Sequence, residues 1–276
     1  MAESRWSPLL IGLMGWCALL SVASAATDRA GATFIARDFT ITGPDRIAGG
    51  ITTIEMLNQG ATAHHLQLVS LPAGKSADDL AAAIQADPKR LPSWIRYLGG
   101  PNAVVPGERT AATVHLESGS YVVLCLIPDE HGVPHYARGM QRPLRVEGGT
   151  VAHPVEPTGD VTLTQVDFAF GVSHPITHGP HTIQVVNRGT ITHEAVLMRL
   201  APGSTTADLL ASLAPGAPAP VRGKPIGGIV GVEPGTRAYF TADFQPGTYV
   251  WICLFPDTET GAVHAARGMV TEFTVR

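Results

Sequence analysis

Apolar and β-branched residues fall in short runs parted by Gly- and Pro-containing turns, the pattern of β-strands. Ile51 to Leu57 and His181 to Val186 are two such runs, and Leu66 to Leu71 and Ala195 to Leu200 are two more. Thr110 to Leu116 and Arg237 to Ala242 alternate apolar with polar positions after Pro-Gly turns. Tyr121 to Ile127 and Tyr249 to Phe255 each contain a cysteine, and Pro143 to Val146 and Val270 to Val275 close the series. Two segments read as helices instead. Ser76 is placed to cap Leu80 to Ile84, with Asp78 and Asp79 at the positive end of the helix dipole, and Thr205 and Asp208 open Leu209 to Leu213 in the same way. A further short helix is predicted near Ser93 to Leu98.

These runs come in pairs because the chain repeats itself. Asn58-Gln59-Gly60 with His64 matches Asn187-Arg188-Gly189 with His193, and Asp38-Phe39 matches Asp167-Phe168. Gly99-Gly100 matches Gly227-Gly228, Cys125 matches Cys253, and Arg138-Gly139-Met140 matches Arg267-Gly268-Met269. The offset is 128 or 129 positions throughout, the size of a whole domain rather than of a solenoid repeat. A Gly-, Pro- and Thr-rich stretch from Gly148 to Gly159 reads as the linker between domains at 30–148 and 159–276. Strand-dominated repeats with one short helical insertion predict an all-β protein of two tandem Greek-key β-sandwiches.

Composition agrees with this and narrows the partners. The 276 residues include 30 Gly and 22 Pro but only 15% charged residues. The net charge of −4 comes without a basic run, which argues against nucleic acid as a partner. Residues 1–25 read as a signal peptide: Arg5, an apolar stretch from Leu9 to Val22, then Ala23-Ser24-Ala25 as the cleavage pattern. A periplasmic or secreted protein with no stable membrane span after signal removal is expected. An uncleaved anchor and lipidation at Cys17 are the alternatives.

Two cysteines remain after the signal. They would ordinarily suggest a disulfide, but Cys125 and Cys253 occupy the same strand of two domains, which rarely approach within the roughly 7 Å between Cα atoms that a disulfide needs. Each is instead followed by a loop holding a histidine and a methionine: His135 and Met140 in the first repeat, His264 and Met269 in the second. His64 or His193 stands far upstream. A thiolate, two imidazoles and a thioether form the ligand set of a blue-copper centre.

On these residues each repeat resembles a cupredoxin of the plastocyanin and azurin type. The resemblance rests on Asn58-x-Gly60 with His64, Gly119-Ser120-Tyr121 with Cys125, and His135 through Gly139-Met140. In the second repeat it rests on Asn187-x-Gly189 with His193, Pro246-Gly247-Thr248-Tyr249 with Cys253, and His264 through Gly268-Met269. It implies copper, one ion per domain, held by His64, Cys125, His135 and Met140 and by His193, Cys253, His264 and Met269. It also implies single-electron exchange with a redox partner protein. Two features depart from the family pattern. Nine residues separate Cys125 from His135, and ten separate Cys253 from His264, so the loop must fold back. The residue after the first histidine, commonly Asn in the family, is His65 or Glu194 here.

The remaining histidines read as bystanders: His131, His115 and His153 as surface, the His174, His178 and His181 group as a solvated loop, and His65 as facing away from His64. Asp38 and Asp167 read as turn or strand-edge residues. Multicopper oxidases and copper nitrite reductases also have tandem domains of this kind, but they need His-x-His pairs, and none occurs here. The expected function is therefore non-enzymatic electron transfer, with a copper carrier or store, or a metal-free binding module, as the alternative.

Overall fold

The computed structural model describes Met1 and residues 31–148, 156–214, 216–217, 220–257 and 260–276. The expected signal peptide, Cys17 and most of the linker, with His153, lie outside the described residues. Among those residues no helix is long and apolar enough to cross a membrane.

The first half contains β1 (Gly31–Arg37), β2 (Thr40–Thr42), β3 (Arg46–Ala48), β4 (Gly50–Asn58), β5 (Gln67–Leu71), α1 (Ala77–Ala86), β6 (Arg96–Tyr97), β7 (Arg109–Leu116), β8 (Gly119–Leu124) and β9 (Gln141–Glu147). Strands β2, β1, β4 and β7 pair in that order, and the second sheet runs β3, β9, β8, β5, β6. The second half contains β10 (Val161–Val166), β11 (Ala169–Val172), β12 (Gly179–Asn187), β13 (His193–Leu200), α2 (Thr206–Ser212), β14 (Gly223–Val232), β15 (Arg237–Phe244), β16 (Gly247–Ile252) and β17 (Val270–Val275). It repeats the scheme, with β11, β10, β12, β15 in one sheet and β14, β13, β16, β17 in the other. In both halves the opening strand runs parallel to the third member of its sheet, β1 to β4 and β10 to β12. The protein is thus two tandem Greek-key β-sandwiches, each with one short helix.

Side-chain alternation produces the sandwich. Along β4, Thr52, Ile54, Met56 and Asn58 are buried while the residues between them are half-exposed. Phe34, Leu68 and Val123 complete the first core, and Leu163, Ile183, Phe240 and Trp251 fill the second. Both helices begin with a capping box: Ser76 and Thr205 each accept from the backbone N–H three residues on, and Asp79 and Asp208 reach back to the cap.

The two halves meet through equivalent segments. Thr113 of β7 pairs with Tyr239 of β15, which joins the outer sheets into one of eight strands with the palindromic order β2-β1-β4-β7-β15-β12-β10-β11. Beside it, residues 98–104 run antiparallel to β14, with Leu98 opposite Val232, Pro101 opposite Ile229 and Val104 opposite Ile226. Gly99 N–H donates to the Gly231 carbonyl at 2.9 Å, and Val230 N–H to that of Gly100 at 3.1 Å. Arg96 and Glu233 add an ion pair at 2.8 Å.

Two sequence expectations are corrected here. Ser93 to Leu98 is not a helix, because Arg96 and Tyr97 form β6 against Ser70 and Val69, and Leu98 N–H donates to Leu68. Tertiary pairing outweighs the local helical preference. The cysteine strands end earlier than predicted, at Leu124 and Ile252, which leaves Cys125 and Cys253 just past the last ladder residue.

Candidate metal centre

The loop carrying the first histidine is clamped by the Asn-x-Gly motif. The Asn58 amide donates to the carbonyls of Thr62 at 2.8 Å and Val104 at 2.9 Å and accepts from Gly60 N–H at 2.9 Å. Asn187 does the same with Ile191, Val232 and Gly189. Glycine is required at position 60 because a Cβ there would overlap the His64 ring and lie 2.6 Å from the Asp38 carboxylate. This close approach lets His64 Nε2–H donate to Asp38 Oδ1 at 2.6 Å, and His193 Nε2–H to Asp167 Oδ1 at 3.0 Å.

Those carboxylates decide which nitrogen is available. With the proton held on Nε2, Nδ1 of each ring presents its lone pair inward. Burial pushes both carboxyl pKa values up, but hydrogen bonds to main-chain N–H, Thr62 or Thr190, and the histidine outweigh it. Asp167 is held down at about 2. Asp38 and Asp167 are therefore more than turn residues. Their recurrence at matched positions was the available signal, but nothing in the sequence joined them to histidines 26 positions away.

The second histidine returns to the cysteine through a small hairpin, which explains the long spacing. Pro128 bridges Pro134, Asp129 N–H donates to Val133, and the Asp129 carboxylate accepts from the N–H groups of His131 and Val133 and from Arg138. His135 N–H then donates to Ile127, and Tyr136 N–H to the Cys125 carbonyl, both at 2.9 Å. Pro256 with Val263, and Asp257 with Arg267, repeat the device. A single helical turn ends at left-handed Gly139 or Gly268 and delivers the methionine. Met140 N–H donates to the His135 carbonyl, and Cys125 N–H donates to that of Met140. Met140 is buried in the apolar cluster that holds Cys125, and Met269 in the one that holds Cys253.

The result is the same cluster twice. His64 Nδ1 lies 3.2 Å from His135 Nδ1, and Cys125 Sγ lies 3.5 Å from His135 Nδ1 and 4.0 Å from His64 Nδ1. In the second half His193 and His264 Nδ1 are 3.0 Å apart, and Cys253 Sγ is 3.4 Å from His264 Nδ1. Metal bonds of about 2.0 Å to imidazole and 2.3 Å to thiolate put neighbouring donors about 3.3 to 3.8 Å apart, and the distances above fall inside that range or within about 0.3 Å of it, close enough for each trio to share one ion. Among the described residues these two trios are the groups of three or more His, Cys, Asp or Glu that could hold a metal ion. His174, His178 and His131 are exposed, as is His115.

Electrostatics suit neutral imidazoles. Burial, reinforced by the neighbouring ring, lowers His135 and His264 to about 4. Burial raises the Cys125 thiol to about 12, opposed by main-chain N–H groups of His65 and Ile127 aimed at the sulfur. Burial, reinforced by the Glu194 carboxylate, raises Cys253 likewise, opposed by the main-chain N–H groups of Glu194 and Phe255, the former 3.4 Å from the sulfur. Both cysteines are free and buried.

The unusual residues after the first histidines take up one position. His65 Nε2 accepts from Leu126 N–H at 2.8 Å, and Glu194 Oε1 accepts from Leu254 N–H at 3.0 Å. Each fixes the main chain directly after a cysteine. Their side chains differ chemically, so no sequence match revealed that they do one job.

No protein-family model matches the sequence, and no curated protein matches it. Solved structures similar to it include the reduced auracyanin of the photosynthetic bacterium Roseiflexus castenholzii, with 19% identity over 43% of this chain and 97% of that one and a TM-score of 0.30. A copper-containing nitrite reductase from Thermus scotoductus shares 12% identity over 89% of this chain and 61% of its own, with a TM-score of 0.26. A blue copper oxidase from Nitrosomonas europaea shares 14% over 90% and 86%, with a TM-score of 0.24. The strand order and the buried His–Cys–His cluster recur in both halves, so the protein is a tandem pair of β-sandwiches with one cluster in each.

Proposed function

We propose that the chain is an exported, non-enzymatic copper protein that binds one copper per domain and exchanges single electrons with a partner protein. The observation that carries this reading is the twofold convergence of one thiol and two Nδ1 atoms on a buried point braced by rigid sandwich walls. His64, Cys125, His135 and Met140 would hold the first ion, and His193, Cys253, His264 and Met269 the second. Soft sulfur with imidazole suits copper in both oxidation states, and the ion supplies reversible one-electron chemistry. The two N–H groups aimed at each sulfur stabilise the thiolate once its proton has left. Phe39 packs edge-on against His135 at 4.9 Å, and a cleft lined by Phe39, Ile127, Pro128 and Arg138 reaches that ring, the place where a partner would approach the first centre.

Titration of the metal-free protein with copper is expected to saturate at two ions per chain with an intense blue sulfur-to-copper band. A protein that stays colourless at saturation, with its copper on other residues, would overturn electron transfer in favour of a carrier or store. Asp38→Ala and Asp167→Ala should each weaken one site about 10- to 100-fold, because the ring loses the group that fixes its tautomer. Competition against a chelator of known affinity reads this directly, and unchanged affinity in both variants would remove the aspartates from the site.

A further inference from the structure

The first half of the chain is built into the surroundings of the second cluster. Strand β14 bulges where it faces β13: His193 lies opposite Val232 and Ala195 opposite Ile229, so Val230 and Gly231 both stand against Glu194. The bulge frees main-chain groups on both strands. Glu194 N–H turns to Cys253 Sγ at 3.4 Å. Val230 N–H donates to the Gly100 carbonyl at 3.1 Å, and the Gly231 carbonyl accepts from Gly99 N–H at 2.9 Å, which holds the first half against the bulge. Asn102 follows three residues after Gly99 and is buried at this contact. Its main-chain N–H donates to the Gly228 carbonyl at 3.1 Å. Its Nδ2 donates to Glu194 Oε2 at 3.2 Å and to the Ile229 carbonyl at 3.0 Å, and its Oδ1 accepts from Ala103 N–H at 2.7 Å. Both ends of the amide are thereby fixed. Glu194, also buried, accepts from Leu254 N–H through its other oxygen at 3.0 Å, one residue past Cys253. A carboxyl bonded at one oxygen can still turn about that bond; the amide from across the boundary fixes its plane. The repeat shows that this pair is no general part of the scaffold. The residue matching Glu194 is His65, and the residue matching Asn102 is Val230, whose side chain has no donor.

We propose that Asn102 is a positioning residue for the second cluster, so that the first half completes the second metal site across the domain boundary. It acts through the Glu194 carboxyl, which holds the main chain behind Cys253. The inference rests on the copper reading above as far as the ion is concerned, and on the hydrogen bonds alone as far as the main chain is concerned. Groups that orient ligands from behind set metal affinity nearly as strongly as the ligands do, so losing the amide should weaken the second site and not the first.

The test uses the full-length chain with one thiol removed at a time, Cys125→Ser to leave the second cluster and Cys253→Ser to leave the first. Copper affinity is read by competition with a chelator. Asn102→Ala is expected to weaken the second cluster about 10-fold and to leave the first unchanged. Asn102→Ser, which has no group at the Nδ2 position, should do the same and covers the case in which the alanine variant folds poorly. In Glu194→Ala protein, Asn102→Ala should cost nothing further, because the amide acts through that carboxyl. Arg96→Ala is the control: it removes the boundary ion pair with Glu233 and should leave both affinities as they were. In metal-free protein the Leu254 amide should exchange its hydrogen faster in the Asn102 variants and in Glu194→Ala, and at the parental rate in Arg96→Ala. Equal weakening of the two clusters, a full further loss in the Glu194→Ala background, or an unaltered Leu254 amide would overturn the proposal while leaving copper binding intact. If Cys125→Ser protein takes up copper without a blue band, the copper reading fails. The metal-free exchange then decides the role of Asn102 by itself: faster exchange supports it, and unchanged exchange overturns it.

Discussion

Cys125→Ser and Cys253→Ser are each expected to abolish one of the two blue bands completely and leave the other at full strength. The band arises only where a thiolate binds the ion, and serine supplies an oxygen that is neither soft nor ionised at neutral pH. The fold should survive. Each cysteine is fully buried, but main-chain N–H groups already face the sulfur, and a serine oxygen can accept from them. Circular dichroism and the unfolding midpoint would confirm that the scaffold is intact. The double variant should be colourless. If either single variant kept both bands, or lost both while folded, the assignment of one independent thiolate to each centre would be wrong.

Gly228→Ala and Gly100→Ala should be the most damaging small substitutions in the chain, costing about 3 kcal/mol or more each. Both glycines have positive φ, +116 and +136, where an L side chain is strained by about 1–2 kcal/mol. Both also lie against main chain. A Cβ at 228 would collide with the Ala195 carbonyl, and one at 100 with the Leu66 carbonyl and with Leu68 Cδ1 at 2.7 Å. Backbone cannot move aside as a flexible side chain can, so overpacking adds about 1–3 kcal/mol. Gly107→Ala isolates the two contributions, since its φ is +83 but nothing lies within 4 Å of the added methyl. It should cost about 1 kcal/mol. Urea midpoints read all three, and a Gly228→Ala cost no larger than that of Gly107→Ala would mean that the β13 main chain at Ala195 yields.

Much of the scaffold was legible in the sequence because its signals are local. Strands β4, β7, β12 and β15 show their alternation and turns in the residues themselves, and α1 and α2 declare their capping boxes. The two His–Cys–His trios were legible because the pattern occurs twice. What escaped was set by contacts distant along the chain. Strand β14, which contains Pro225, Gly227, Gly228 and Gly231, was not among the predicted strands; its partners are β13 and residues 98–104 of the other half. Asp38, Asn102 and Glu194 look like ordinary polar residues until the fold brings them beside a histidine or each other. His65 was expected to point away from His64, and its ring indeed serves Leu126 rather than Asp38, but its role at the cysteine could not be seen without the pairing of β5 with β8.

The palindromic arrangement of the eight-stranded sheet has the form of an isologous contact between identical subunits, yet here both participants belong to one polypeptide. In a true homodimer, any change on one side of the axis is imposed on the other. Covalent fusion lifts that constraint, so an imidazole, His65, can hold the Leu126 N–H in one half where a carboxylic acid, Glu194, holds the Leu254 N–H in the other. Two His–Cys–His clusters that would otherwise be obliged to have matching surroundings are free to differ.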